Sequence, residues 1–215
     1  MPDQQQSLDW HEWHRPYDDP TSNLGRRLAT VQQRLRETLD ARTGPIRLIS
    51  MCAGQGRDVI PVLATHPHRD DIEALLVELD PRNAEASETG IRAAGLKNAR
   101  VLSADAALTD NYADAVPADV ILACGIFGNI SLDDIKNTIE HLSMFAAPSA
   151  TVIWTRGRWK DNDPTTDIRR WFKESGFEEL SFDAPDDTPY SVGVNRLIAP
   201  PRPLERSVTL FCFFR

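Results

Sequence analysis

The sequence predicts an α/β chain: a mostly parallel sheet with helices on both faces. Three observations carry that expectation. Short apolar runs alternate with stretches of helical periodicity from Ile46 onward, which sets strands side by side through crossover helices. A glycine-bearing segment, Ser50-Met51-Cys52-Ala53-Gly54-Gln55-Gly56-Arg57-Asp58, sits between the first such run and the helix that follows. Roughly 20 residues further on, the second apolar run ends in Glu78-Leu79-Asp80-Pro81.

The elements follow in order. Leu24, Leu28, Val31, Leu35 and Leu39 form one apolar stripe at helical spacing, with Thr21, Ser22 and Asn23 as N-cap candidates before it. Gly44-Pro45 breaks that helix. Strands are expected at Ile46 to Met51, Ile72 to Leu79, Ala99 to Leu102, Val120 to Ala123, Ala150 to Trp154 and Phe177 to Phe182. A helix is expected over Arg57 to Ala64, where Pro61 is tolerated only near the start because early backbone N–H groups have no intrahelical partner. Asp80-Pro81 reads as an N-cap with proline at the first helical position, and Gly95 as the C-terminal stop. Ser131-Leu132-Asp133-Asp134 opens a helix carrying Ile135, Ile139, Leu142 and Phe145 on one side, and Pro164 to Ser175 forms another, ended by Gly176. Tyr190 to Ile198 adds an extra strand candidate. Val208 to Phe214 alternates and is expected to close the sheet, antiparallel because no helix precedes it.

Composition bounds the function. The 215 residues suit one domain with a full hydrophobic core. Lys plus Arg is 24 and Asp plus Glu is 32, a net charge of −8, which opposes a broad basic face for nucleic acid or an anionic membrane. No apolar run approaches the ~20 residues needed to span a bilayer, and the first residues lack the basic and apolar regions of a signal peptide. Cys52, Cys124 and Cys212 are sparse and odd in number, so no disulfide framework and no metal spacing is expected. The expected setting is a reducing cytoplasm, with a monomer or homodimer.

The glycine loop and the acid belong together. Glycines there let the backbone approach a ligand, and the helix N-terminus behind them favours negative groups. An acid at the end of the second strand is placed to accept hydrogen bonds from ribose hydroxyls. The pair points to an adenosine ligand. A dinucleotide fingerprint needs a third glycine where this chain has Val59, and no Lys-Ser/Thr pair follows for a triphosphate loop.

The loop instead resembles motif I of the class I S-adenosylmethionine-dependent methyltransferases. The resemblance covers most of the chain after Gly44 and implies a Rossmann-like seven-stranded sheet with an antiparallel last strand, and S-adenosylmethionine as cofactor. It implies cofactor contacts from Cys52, Ala53, Gly54, Gln55, Gly56 and Asp58 in the loop. Glu78 and Leu79 follow at the ribose, and Asp105 and Ala106 after the third strand at the adenine. Cys124, Gly125 and Phe127 follow the fourth strand. Cys-Ala-Gly-Gln-Gly-Arg-Asp, Glu-Leu-Asp-Pro-Arg-Asn and Gly-Ile-Phe-Gly-Asn-Ile together look like a bacterial, actinomycete-type subgroup of unassigned substrate. Two departures stand out: Ser50 where the family usually has an acid, and Cys52 where it has glycine. The acid often holds the amino group of the methionine moiety, a role left open to Asp58 or a backbone carbonyl.

The resemblance divides the chain into a helical cap or lid, residues 1–43, and a cofactor-binding core, residues 44–215. It implies methyl transfer to a small-molecule acceptor. The Asn-Pro-Pro-Tyr or Asp-Pro-Pro-Tyr tetrapeptide of nucleic-acid base methyltransferases is absent after the fourth strand. The aromatic-dense segment Trp10 to Asp18 supplies Trp13 and Tyr17 as substrate contacts and His14, or His11, as a base titrating near neutral pH. Asn129 is the second candidate at the chemistry. Arg156 and Arg158, with Lys160, form a basic mouth suited to an acidic or aromatic acceptor. Arg26 or Arg27 pairs with the cofactor carboxylate or lies on a solvated helix face. His66, His68 and His141 read as surface residues, and no metal is expected. Two other readings stay open: a protein that binds the cofactor or its product without transfer, and a nicotinamide oxidoreductase, which Val59 disfavours.

Overall fold

The computed structural model describes residues 12–159 and 163–214. A 3₁₀ turn at Glu12–Asp18 leads into α1 (Asn23–Asp40). There follow β1 (Ile46–Met51), α2 (Ile60–Thr65), β2 (Ile72–Glu78), α3 (Pro81–Ala94), β3 (Ala99–Ser103) and β4 (Ala118–Ala123). The second half holds α4 (Leu132–His141), β5 (Ala146–Gly157), α5 (Thr165–Glu174), β6 (Phe177–Asp183) and β7 (Tyr190–Leu197).

One seven-stranded sheet runs in the order β3-β2-β1-β4-β5-β7-β6. β1 to β5 pair in parallel, and β7 enters antiparallel to both β5 and β6. The strand order reverses between β1 and β4, and in open α/β sheets ligands bind beyond the carboxyl ends of strands at such a point.

Local chemistry sets the helix ends. The Ser22 hydroxyl accepts the Gly25 N–H at 2.9 Å and starts α1. The Asp80 carboxylate accepts the Arg82 N–H at 2.9 Å, Pro81 follows at the first position, and Gly95 ends α3 at φ +64°. α2 begins three residues later than expected. The Val59 and Ile60 N–H groups both donate to the Gly56 carbonyl, so the chain turns before it can wind.

The sheet is covered on both faces. On one side α1 buries Val31, Leu35 and Leu39 against Leu48 of β1 and Val192 and Val194 of β7. An Arg34 to Asp183 pair, with contacts of 2.7 and 2.6 Å, also ties α1 to the end of β6. On the other side α4, α5 and the C-terminal segment pack around Phe127, Trp154 and Phe172. Trp154 is fully buried, stacks on Phe172 at 5.6 Å, and donates its indole N–H to Asn195 Oδ1 at 2.8 Å.

The expected closing strand is corrected. Val208–Phe214 makes one isolated antiparallel bridge, Leu108 with Thr209, and joins no sheet. The antiparallel strand is Tyr190–Leu197, buried at every position but Arg196 because it is paired on both edges and covered on both faces. Its Gly193 lies opposite Trp154, and a Cβ there would stand 2.2 Å from the indole Cε2. Gly193→Ala is therefore expected to cost about 1–3 kcal/mol by overpacking, read as a lower urea midpoint. An unchanged midpoint would contradict this packing.

Candidate functional site

A cleft of about 570 Å³ opens beyond the carboxyl ends of β1, β2, β3 and β4, at the reversal of strand order. Its floor is the loop after β1. Cys52, Gly54 and Gly56 all lie in the left-handed region, at φ +51°, +57° and +67°. Cys52 is the position where the resemblance has glycine, and it keeps the glycine-like conformation at the strain an L side chain carries there. The loop is held from several sides. The Ala53 N–H donates to the Val77 carbonyl at 2.9 Å, and Ser87 Oγ of α3 donates to the Gly54 carbonyl at 2.9 Å. Gln32 of α1 donates to the Arg57 carbonyl at 2.8 Å.

Glu78 at the end of β2 is buried beside this loop. One carboxylate oxygen accepts the Gly54 N–H at 2.7 Å, and the other accepts the Asp80 N–H at 2.8 Å. Burial pushes its carboxyl above the ordinary value, against these hydrogen bonds. Leu79, next in sequence, is 65% exposed and lines the cleft, as do Asp105 and Ala106 after β3 and Cys124 and Gly125 after β4. Asp105 Oδ1 accepts the Ala107 N–H at 2.9 Å, which fixes its side chain in the turn.

At the other end of the cleft Asp58, Arg27 and Tyr17 stand together. Burial pushes the Asp58 carboxyl up although Arg27 pulls it down, and Asp58 shares a hydrogen bond with the Cys124 thiol. Arg27 donates through Nη2 to the Tyr17 hydroxyl and lies 5.5 Å from that ring's centre. Arg57 lies 5.9 Å from the same ring and pairs with Asp18 at 2.6 Å. Burial raises the Tyr17 phenol to about 12, which keeps it protonated at neutral pH. Burial raises the Cys52 and Cys124 thiols as well, which keeps both protonated.

The remaining expected site residues lie elsewhere. Gly56 is beneath the loop, where a Cβ would meet Ile60 Cδ1 at 2.5 Å. Phe127 is fully buried in the core, 6.0 Å from Trp154, and does not line the cleft. Asn129 braces the loop after β4, donating to the Gly125 carbonyl at 2.8 Å and accepting the Phe214 N–H at 3.2 Å. Arg158 donates to the carbonyls of Pro185, Thr188 and Tyr190, which turns its guanidinium into a clasp for the β6–β7 turn. Arg156 is buried beside Gly128, and burial lowers its pKa. The side chains of Trp13 and His14, with His11 and Lys160, lie outside the described residues. Of the two arginines at the start of α1, Arg27 faces the cleft, whereas Arg26 pairs with Asp187 at 2.9 Å on the surface.

Six cleft residues were not expected in the site: Arg57, Asp80, Pro81, Arg82, Asn83 and Phe213. The first five lie inside quoted motifs, Asp80 and Pro81 read there only as a helix cap. Phe213 carries no local signal, because only the tertiary path of the C-terminus brings it there.

A model of the family described as "Putative methyltransferase" matches residues 22–164, two thirds of the chain. The chain belongs to that methyltransferase family. No curated protein matches the sequence. Among solved structures, magnesium protoporphyrin IX methyltransferase from Synechocystis PCC 6803, with bound SAM, is similar at TM-score 0.67 and 13% identity. The match covers 89% of this methyltransferase and 99% of that chain. Burkholderia thailandensis 1,6-didemethyltoxoflavin-N1-methyltransferase, with its namesake and S-adenosylhomocysteine bound, is similar at TM-score 0.67 and 12% identity, covering 88% and 84%. An O-methyltransferase family protein from the same organism matches at TM-score 0.62 and 15% identity, over 88% of the methyltransferase and 64% of that chain. These likenesses show the class I methyltransferase fold. The family match spans α1 to β5 and so includes the glycine loop, Glu78 and Asp105; α5, β6, β7 and the C-terminal segment lie beyond it. Among the described residues no helix is long and apolar enough to cross a membrane.

Proposed function

We propose that this methyltransferase takes S-adenosylmethionine as its methyl donor in the cleft and methylates a small-molecule acceptor. The observation that carries the reading is one cavity that gathers Glu78, Asp105, Asp58 and Arg27 around a left-handed glycine loop. The donor carries a ribose, an adenine, an amino group and a carboxylate, and the cleft offers a complement to each. An exposed Leu79 in the cleft suits an apolar base face, and the buried Asn83 Nδ2 has no hydrogen-bond partner among the described residues. Two of the similar structures were solved with the donor or its product.

When bound, the donor supplies an electrophilic methyl carbon on a sulfonium. The protein's part is to hold and align. The Glu78 oxygens accept the Gly54 and Asp80 N–H groups, and a carboxylate's roughly four lone-pair positions leave room for a ribose hydroxyl. Asp105 accepts from the adenine amino group. Asp58 receives the methionine amino group, taking the role that Ser50, buried in β1, leaves vacant. Arg27 receives the carboxylate. Tyr17, packed over Arg27 and Arg57, covers that end and excludes water. The net charge of −8 and the small cleft favour a small acceptor over nucleic acid. Three free thiols suit a reducing cytoplasm.

Arg27→Ala tests this placement. It is expected to weaken S-adenosylhomocysteine by about 1.5–3 kcal/mol through loss of a charged hydrogen bond, and to leave adenosine affinity unchanged. Calorimetric titration with both ligands reads the difference. An equal loss for both would contradict Arg27 as the carboxylate partner.

A further inference from the structure

The segment Val208–Phe214 lies outside the sheet and beyond the stretch that the family model matches. It is nonetheless firmly placed as a strap. On the β3 side, Thr109 N–H donates to the Val208 carbonyl at 3.1 Å and Leu210 N–H to the Ala107 carbonyl at 2.8 Å. On the β4 side, Asn137 of α4 donates to the Leu210 carbonyl at 2.8 Å, and Phe214 N–H donates to the Asn129 carbonyl at 3.2 Å. The strap therefore bridges the loops that follow β3 and β4, the two that supply Asp105, Ala106, Cys124 and Gly125 to the cleft. Of its residues, Phe213 lines the cavity. Phe211 is buried and meets Phe213 edge-on, 5.5 Å between ring centres at 88°, which limits how the Phe213 ring can turn.

An aromatic was expected in the cleft from Phe127, but that ring is fully buried in the core. We propose that Phe213 supplies it, as the ring that covers the adenine of the donor. The inference rests on the donor assignment above. It makes the C-terminal strap part of the cofactor site: Leu210 is tied to Ala107, two residues from the acid that meets the adenine amino group, and three residues later the strap delivers an aromatic face. Stacking recognises a base through its π-face, so the strap adds affinity for the adenine without reading its substituents, which is left to Asp105.

The test is titration of wild type, Phe213→Ala, Phe213→Leu and Phe213→Trp with S-adenosylhomocysteine. Phe213→Ala is expected to weaken binding about tenfold, within the range for a lost base–aromatic stack. Phe213→Leu should recover only part of the loss, and Phe213→Trp should bind within about twofold of wild type on the same grounds. In Phe213→Trp the added tryptophan emission should be quenched on saturation, a signal that a merely structural residue would not give. Wild-type binding with full affinity retained in Phe213→Ala, or in Phe213→Leu, would overturn the stacking role and leave the donor assignment standing. No quenching in Phe213→Trp would overturn it as well, even if the alanine variant failed to fold. No binding by wild type would overturn the donor assignment and this inference together.

Discussion

Glu78→Ala weakens S-adenosylhomocysteine by about 1–3 kcal/mol, because a ribose hydroxyl loses a charged acceptor and the loop beneath it loses its anchor. Glu78 is the acceptor for the Gly54 N–H at 2.7 Å, so the alanine variant leaves that buried donor without its partner and loosens the left-handed turn that shapes the cleft. Glu78→Gln separates the two roles. It keeps one acceptor oxygen, sets an amide N–H against the other backbone donor, and is expected to fall between wild type and alanine in a calorimetric titration. An alanine variant that binds as tightly as wild type would remove Glu78 from the ribose site. The same residue gives a pH signature. Burial raises its carboxyl in the folded state, so the folded protein holds that proton more readily than the unfolded chain. Glu78 thus contributes stability below the ordinary carboxylate value that is lost as pH rises through its raised value. Urea unfolding of the ligand-free protein across that window should show a smaller decline in Glu78→Gln than in wild type.

Gly56→Val carries the largest expected loss of stability. At φ +67° the backbone is left-handed, which costs a β-branched residue about 1–2 kcal/mol or more. The new Cβ would also stand 2.5 Å from Ile60 Cδ1 and 3.1 Å from Leu76 Cδ2, overpacking worth about 1–3 kcal/mol more. The sum, about 2–5 kcal/mol, is a large part of the ~5–15 kcal/mol that holds a typical domain folded. Gly95→Ala is the control, since that glycine has the same backbone sign but nothing within 4 Å of its Cβ. It should lose only the conformational share. Equal urea midpoints for the two variants would contradict the steric account of Gly56.

The parts legible in sequence are those whose physics is local. β1, β2 and β4 are covered on both faces and so read as apolar runs. The ends of α3 are written in Asp80, Pro81 and Gly95, which act through their own backbone neighbours. The glycine loop and Glu78 were readable because a fixed crossover length brings a strand end beside the preceding turn, as the Gly54 contact shows. What sequence misassigned depends on long-range pairing. Val208 to Phe214 has the alternation of a strand, yet it is Tyr190–Leu197 that lies between β5 and β6 and pairs on both of its edges. Which ring faces the cleft depends on the tertiary path of its segment, so nothing local distinguishes Phe127 in the core from Phe213 in the cleft. Arg158 of the expected basic mouth is placed by a similar long-range effect: its guanidinium is taken up by carbonyls of a turn about 30 residues away.

The central claim is that the cleft recognises a donor with an adenosyl group at one end and an amino acid at the other. Parallel titrations of the intact protein with S-adenosylhomocysteine and with NAD test it most directly. The structure predicts one saturable site for S-adenosylhomocysteine and no comparable response to NAD. Tight binding of NAD with no response to S-adenosylhomocysteine would contradict it.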